Sequence, residues 1–528
     1  MARRKQLFSG RHVNAFYNKL SAASAGPKII TSLPEEDPGY GTDWKGESEF
    51  QNSFLLIPKY DYDTPEDVDR TSAPAASARA PQHSRLELRE PSKPAYSVLQ
   101  RIGLQDFEKV RILGTPQQRL TPRSGQGVFA RLGAMGMAAA YFRKEDQHQA
   151  ARNELQDAYE FVPNFPLTIP LRVRMDEVPA TRGRTALEAD EWPDESGVRA
   201  AWRQGVRGAG VLVGVIDTGI DADHQEFAHQ TVPFRYVPLL PNDLPPRDIR
   251  GFDTDGHGTH VSGIIGGKTV GVAPEASLYV SGVIESETTR TSLIRVAAGL
   301  EWVLRQFSRP ENEQRPAVLN LSLGFPANPP PGIPPAEWQV RFRIMRTLLN
   351  TLAKANVLPV VAIGNDGPGV FRYPGAFRDV VAVGAVDFQR NVAPFSGSGT
   401  PQGEGGVSKP DLMGYGVGVY SSLERAADGR SIYQRLNGTS MATPYVAGVV
   451  ALHRCKHPTW TVSQILEDLR GSALPVSGNV SAGLCRFPVP APRPASTGNQ
   501  SVSGAAAKVG RKRTVGGKRL SRSPVRRR

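Results

Sequence analysis

Three observations in this sequence predict an α/β fold, a doubly wound parallel sheet with helices on both faces, preceded by a small α+β domain. First, between residues 188 and 488, continuous apolar runs such as 211–216 and 357–363 alternate with helix-period segments such as 293–307 and 338–355. Strands apolar on both faces belong to parallel sheets covered by helices. Second, Asp217 ends one such strand, while His257 and Ser440 each open a helical pattern. Open sheets of this kind carry their sites at the carboxyl ends of the strands. Third, residues 93–171 read as one helix followed by strand, helix and strand, the pattern of a separate α+β unit.

At 528 residues the chain has room for two or more domains. Residues 1–92 are polar and rich in Pro, Ser, Ala and charge, and are expected to be disordered or only partly ordered. In the α+β unit, 97–113 (SVLQRIGLQDFEKVRIL) is amphipathic and predicts a helix, and 134–169 predicts strand, helix, strand. Residues 172–187 are polar, turn-rich and basic, a linker whose Arg182 and Arg184 are exposed candidates for cleavage. The sheet domain spans 188–488, and residues 489–528 form a basic tail expected to be disordered.

Between 508 and 528 there are ten Lys or Arg and no acid, so most of the formal charge of +13 sits there. Two readings of that tail stand side by side. It contacts a polyanion, whether nucleic acid, acidic protein or an anionic membrane surface, or it is a solvated tail with no specific partner. No aromatic residue interleaves with its charges, which argues against stacking on single strands.

No run is long and apolar enough to span a membrane, and the basic start lacks the apolar stretch of a secretory signal. Cys455 and Cys485 are the only cysteines, so there is no disulfide framework, although the two would be able to pair if oxidised. The simplest expectation is a soluble cytoplasmic protein; secretion by another route, or a different start residue, stays open.

The chemistry-bearing residues lie in three runs. In NGTSMATPYVAG (437–448), Ser440 falls between a glycine turn and a small-residue apolar helix, with Pro444 expected within the first turn. A helix N-terminus offers N–H groups and a positive dipole end to an oxyanion. In VLVGVIDTGID (211–221), Asp217 ends a strand, and in DTDGHGTHVSGIIGG (253–267), His257 lies between two glycines at a helix start. Taken singly these are an N-cap serine, a turn aspartate and an ordinary polar histidine. Taken together they are a nucleophile, a base and a group to orient it.

The chain resembles the subtilisin-like serine peptidases, and the order Asp, His, Ser is theirs. The likeness covers roughly residues 188–488 and includes GVAPEASLYV (271–280), VLNLSLG (318–324), VVAIGNDGPG (360–369), YPGAFRDVVAVGAVD (373–387) and KPDLMGYGVGVYSS (409–422). It implies Ser440 as nucleophile, His257 as general base, Asp217 as its orienting carboxylate and Asn365 as the oxyanion-hole amide. It further implies that Ser322, Leu323 and Gly324 form one wall of the S1 pocket, and Ala362 with Gly364 the other. The opposite edge strand would run near residues 288–291, where ETTRTS replaces the family's glycine-rich pattern. Arg290 and Arg372 either favour acidic groups in the substrate or point to solvent.

By the same resemblance the α+β unit is an inhibitory propeptide, and the enzyme is made as a zymogen that processes itself. No cofactor is implied. The segment GGKTVGVAP is short and lacks the ligands of a calcium loop, and no HExxH pattern accompanies His257 and His260, so no metal site is expected. The triplet Asp217-Thr218-Gly219 also matches aspartic peptidases, but no second copy exists to share a proton. Two rivals remain: a dedicated processing peptidase with one partner substrate, and a polyanion-binding protein that uses the peptidase fold as scaffold.

Overall fold

The computed structural model describes residues 52–59, 95–106, 127–167, 192–237, 247–285, 291–329, 334–478 and 480–488. The expectations for residues 1–51, for the linker 172–187 and for the basic tail lie outside them. Among the described residues no helix is long and apolar enough to cross a membrane.

The N-terminal unit contains β1 (Ser53–Pro58), α1 (Ala95–Arg101), β2 (Gln105–Asp106), β3 (Val128–Leu132), β4 (Met137–Tyr141), α2 (Glu145–Leu155) and β5 (Tyr159–Pro163). Its five strands form one sheet in the order β2-β3-β4-β1-β5. Strand, helix, strand after residue 134 is as expected from sequence, and α2 carries Glu145 and Asp146 in its first turn, where the helix dipole favours them. Within the polar region 1–92, expected to be disordered or only partly ordered, Ser53–Pro58 is a strand paired antiparallel with both β4 and β5. Its partners lie some eighty to a hundred residues further on, so local composition hid the pairing. The helix read over 97–113 ends at Arg101, since Gly103 takes φ +94° and the chain turns into β2.

The larger domain adds β6 (Pro166–Leu167), α3 (Val198–Arg203), β7 (Leu212–Asp217), β8 (Phe234–Tyr236), β9 (Arg247–Asp248), α4 (His257–Gly266), β10 (Ser277–Gly282), β11 (Thr291–Ser292), α5 (Leu293–Phe307), β12 (Ala317–Leu321), β13 (Phe325–Pro326), α6 (Pro335–Lys354), β14 (Val357–Ala362), β15 (Arg372–Tyr373), β16 (Val381–Val386), β17 (Leu412–Tyr415), β18 (Val419–Leu423), β19 (Ile432–Leu436), α7 (Thr439–Lys456) and α8 (Val462–Ser472). Its main sheet has the order β17-β16-β14-β12-β7-β10-β8-β9, parallel except for β9. Alternate side chains of its strands feed two cores. One gathers α5, α6 and the N-terminal unit, and the other gathers α4, α7 and α8. From β7 the chain runs outward to β8 and β9, returns to β10 beside β7 and then crosses to β12 on its other side, which makes the carboxyl end of β7 the switch point of the sheet.

The N-terminal unit packs on α5 and α6. The Ala134 N–H donates to Glu301 Oε1 at 2.7 Å, the Ile294 N–H to Asn164 Oδ1 at 3.1 Å, and Arg343 pairs with Glu160. Leaving that unit, β6 pairs antiparallel with β11, Leu167 opposite Thr291.

Candidate active site

Asp217 is the last residue of β7 and is 1% exposed; His257 is the first residue of α4 and is fully buried. The two meet through His257 Nδ1 and Asp217 Oδ1, 2.7 Å apart. Close approach of the two segments depends on Gly258, where a Cβ would lie 2.2 Å from the Gly219 carbonyl oxygen. Asp217 Oδ1 also accepts from the Thr218 N–H at 2.7 Å.

A second carboxylate braces the pair. Asp253 Oδ1 accepts from the Thr218 hydroxyl at 2.8 Å, and its Oδ2 accepts from the N–H and hydroxyl of Thr259 at 2.7 and 2.6 Å. The Thr218 hydroxyl in turn accepts from the Gly258 N–H at 2.8 Å. Sequence reading passed over Asp253, although its place four residues before His257 in a run with two threonines was a usable signal.

Ser440 is the second residue of α7, 2% exposed, and among the described residues its Oγ has no hydrogen-bond partner. Pro444 is the sixth residue of that helix, past the first turn where it was expected. Its missing N–H leaves the Ser440 carbonyl without the usual helical donor, and the Ser322 hydroxyl donates to that oxygen at 3.2 Å. Asn365 lies beside the helix start. Its Oδ1 accepts from the N–H and the hydroxyl of Thr439 at 2.9 and 2.8 Å, which fixes the amide's orientation. The Nδ2 end then faces Gly438, 3.4 Å from where a Cβ there would sit.

Ser322, Leu323 and Gly324 on one side and Ala362 with Gly364 on the other are all buried. Arg372 lies between these two segments. A Cβ on Gly324 would come within 3.2 Å of Arg372 Cβ, and one on Gly364 within 3.0 Å of Arg372 Cγ. Arg372 is 8% exposed, and its Nε and Nη2 donate to Asp366 Oδ2 and Oδ1 at 2.7 and 2.8 Å. Of the two readings left open for Arg372, the solvent-pointing one is therefore set aside; Arg290 lies outside the described residues.

The segment after α4 is held by a carboxylate. Glu226, 1% exposed, accepts from the Thr269 N–H (2.7 Å) and hydroxyl (2.5 Å), the Val270 N–H (3.3 Å) and the Tyr433 hydroxyl (2.7 Å). Burial alone would raise its pKa, but these donors hold it below the ordinary carboxylate value. Burial and the bond to Glu226 push the Tyr433 hydroxyl up to about 12. Among the described residues no cluster of three His, Cys, Asp or Glu has the placement of a metal site. Cys455 and Cys485 are both free thiols.

Comparison with known proteins identifies relatives of the chain. The chain is 49% identical over 420 residues to the subtilisin-like protease PopC of Myxococcus xanthus, covering 78% of this chain and 87% of that one. It is 35% identical over 283 residues to Subtilisin Savinase of Lederbergia lenta, covering 52% and 87%. The crystal structure of a cold-adapted subtilisin-like serine proteinase aligns at 27% identity and a TM-score of 0.41, over 53% of this chain and 89% of that one. Residues 208–506 match the subtilase family, peptidase family S8. The chain belongs to that family and is a subtilisin-like serine endopeptidase.

Proposed function

We propose that Ser440, His257 and Asp217 are the catalytic residues and that the enzyme is made as a zymogen whose N-terminal α+β unit is an inhibitory propeptide. The observation that carries the triad is the buried 2.7 Å contact between His257 Nδ1 and Asp217 Oδ1. With Nδ1–H donating to the carboxylate, Nε2 keeps its lone pair and acts as the base. Ser440 Oγ adds to the scissile carbonyl carbon as its proton passes to Nε2. The C–N bond then breaks and His257 gives that proton to the leaving amine. Water, deprotonated by the same nitrogen, hydrolyses the acyl ester and returns Ser440 to its starting state. The tetrahedral oxyanion is held by the Asn365 amide and the Ser440 N–H, at the positive end of α7.

Support for the propeptide reading comes from the place where the N-terminal unit ends. The strand that follows it, β6, lies on β11, the edge where the resemblance puts an extended substrate peptide as an added strand. Substrates are protein chains. The Arg372–Asp366 pair between the two pocket walls favours small side chains at the residue before the cut, which suits a processing enzyme of narrow specificity.

Labelling with a fluorophosphonate tests the triad. Wild type takes up the probe on the peptide that holds Ser440, whereas His257→Ala loses about 10³-fold or more in labelling rate. Equal labelling of the two would remove His257 from the mechanism.

A further inference from the structure

We propose that the socket filled by Phe165 is an aromatic-selective substrate subsite, which takes a Phe, Tyr or Trp side chain of a protein substrate upstream of the bond Ser440 attacks. The inference rests on the peptidase reading above and names a substrate feature for that site.

Phe165 is fully buried and directly precedes β6. Its carbonyl accepts from the Leu293 N–H at 2.9 Å, continuing the antiparallel pairing of Pro166 and Leu167 with Ser292 and Thr291. Backbone pairing of this kind does not depend on the side chains it carries. A substrate strand laid along β11 therefore delivers one of its own side chains where Phe165 now sits.

The socket is built to receive a ring. Phe325 and Trp338 both stand edge-on to Phe165, each with centroids 5.9 Å apart and with interplanar angles of 83° and 68°. The Arg341 guanidinium lies 5.0 Å from the centre of the Phe165 ring and 5.4 Å from that of Trp338. Arg341 is only 1% exposed, so its charge meets the ring in a desolvated setting, where cation–π attraction is strongest. A leucine fills comparable volume but offers Arg341 no π face and Phe325 no ring to meet edge-on.

The socket is also continuous with the pocket beside the nucleophile. Phe325 follows Gly324 directly and pairs in β13 with Tyr373 of β15, their rings 6.0 Å apart. Tyr373 in turn follows Arg372. One short hairpin-like contact thus carries the pocket walls on one side and the socket on the other, and an aromatic anchor would hold a substrate in line with Ser440.

The test uses the enzyme purified from the full-length chain after it has processed itself and released the N-terminal unit, with internally quenched peptides of one common sequence, in which Phe is walked through successive upstream positions with Leu as the paired control. One position is expected to show a Phe-to-Leu ratio in kcat/KM of about 10, carried mainly by KM. In Arg341→Met that ratio falls to about 2; because it is a ratio within one variant, loss of folded protein cancels. Should Arg341→Met fail to fold, Phe325→Leu removes a ring, keeps the charge, and is expected to lower the same ratio. Cleavage with no positional preference overturns the socket, as does a ratio unchanged in the variant. Fluorophosphonate labelling without cleavage of any peptide also overturns it and leaves the peptidase reading standing. Absence of both labelling and cleavage overturns the peptidase reading itself, and the subsite with it.

Discussion

The Ser322 hydroxyl donates to the carbonyl oxygen of Ser440 across 3.2 Å, and that oxygen is open to it because Pro444, four residues on, has no N–H to give. A proline inside α7 thus ties Ser322, in the proposed pocket wall, to Ser440, the proposed nucleophile. Removal of the hydroxyl in Ser322→Ala leaves a buried carbonyl without its donor and should cost about 1–3 kcal/mol. Pro444→Ala supplies an N–H in the helical position, so the double variant should recover at least half of that loss. Chemical denaturation in the Ser440→Ala background, which prevents self-digestion, measures the cycle. Strictly additive losses would show that the carbonyl does not link the two residues.

Glu226 makes stability depend on acid. Its folded pKa is lowered, so its contribution is complete above the unfolded carboxyl value of 4.5 and is lost as pH falls from there through the folded value. Glu226→Gln should flatten this acid limb and lower stability at neutral pH by about 1–3 kcal/mol. Thermal unfolding between pH 3 and pH 7 reads both effects, and an unchanged acid limb in the variant would place the titration elsewhere.

Charge at the base of the pocket should be adjustable through Asp366. In wild type this carboxylate occupies two of the N–H donors of Arg372. Asp366→Asn leaves the guanidinium under-neutralised, so kcat/KM for a Glu before the scissile bond should rise about 10-fold relative to Ala, with the gain shrinking at high salt. No change in that ratio would mean the Arg372 side chain does not meet the substrate residue there.

Asn365→Ala removes the side-chain donor at the helix start and should lower kcat by about 10²–10³ with a much smaller change in KM. A loss confined to KM would assign Asn365 to ground-state binding instead.

Asp217, His257 and Ser440, the proposed triad, stand out in sequence because each sits in a run whose glycines and short polar side chains announce a tight turn at a strand or helix end, and Asp217 and His257 meet across 2.7 Å. Longer-range relations were not legible. Ser53–Pro58 reads as an isolated apolar stretch, and only its partners 138–141 and 159–163 make it a central strand. The sequence suggests Pro444 for the first turn, and nothing local says that Ser322, more than a hundred residues away, stands ready to take its place as donor. Arg372 and Asp366 are close in sequence, yet their pairing depends on how the chain folds back between two glycines. Glu226 shows the same limit: three of its donors come from the segment after α4, and the fourth from Tyr433.

The most direct measurement compares purified wild type with Ser440→Ala by chain length on a gel and by sequencing of the new N-terminus. Wild type is expected to shorten by roughly its N-terminal third while Ser440→Ala stays full length, and added wild-type enzyme should trim the variant at the same bond. If the wild-type chain stays intact under conditions in which it cleaves other proteins, or if Ser440→Ala shortens by itself, the self-processing zymogen is contradicted.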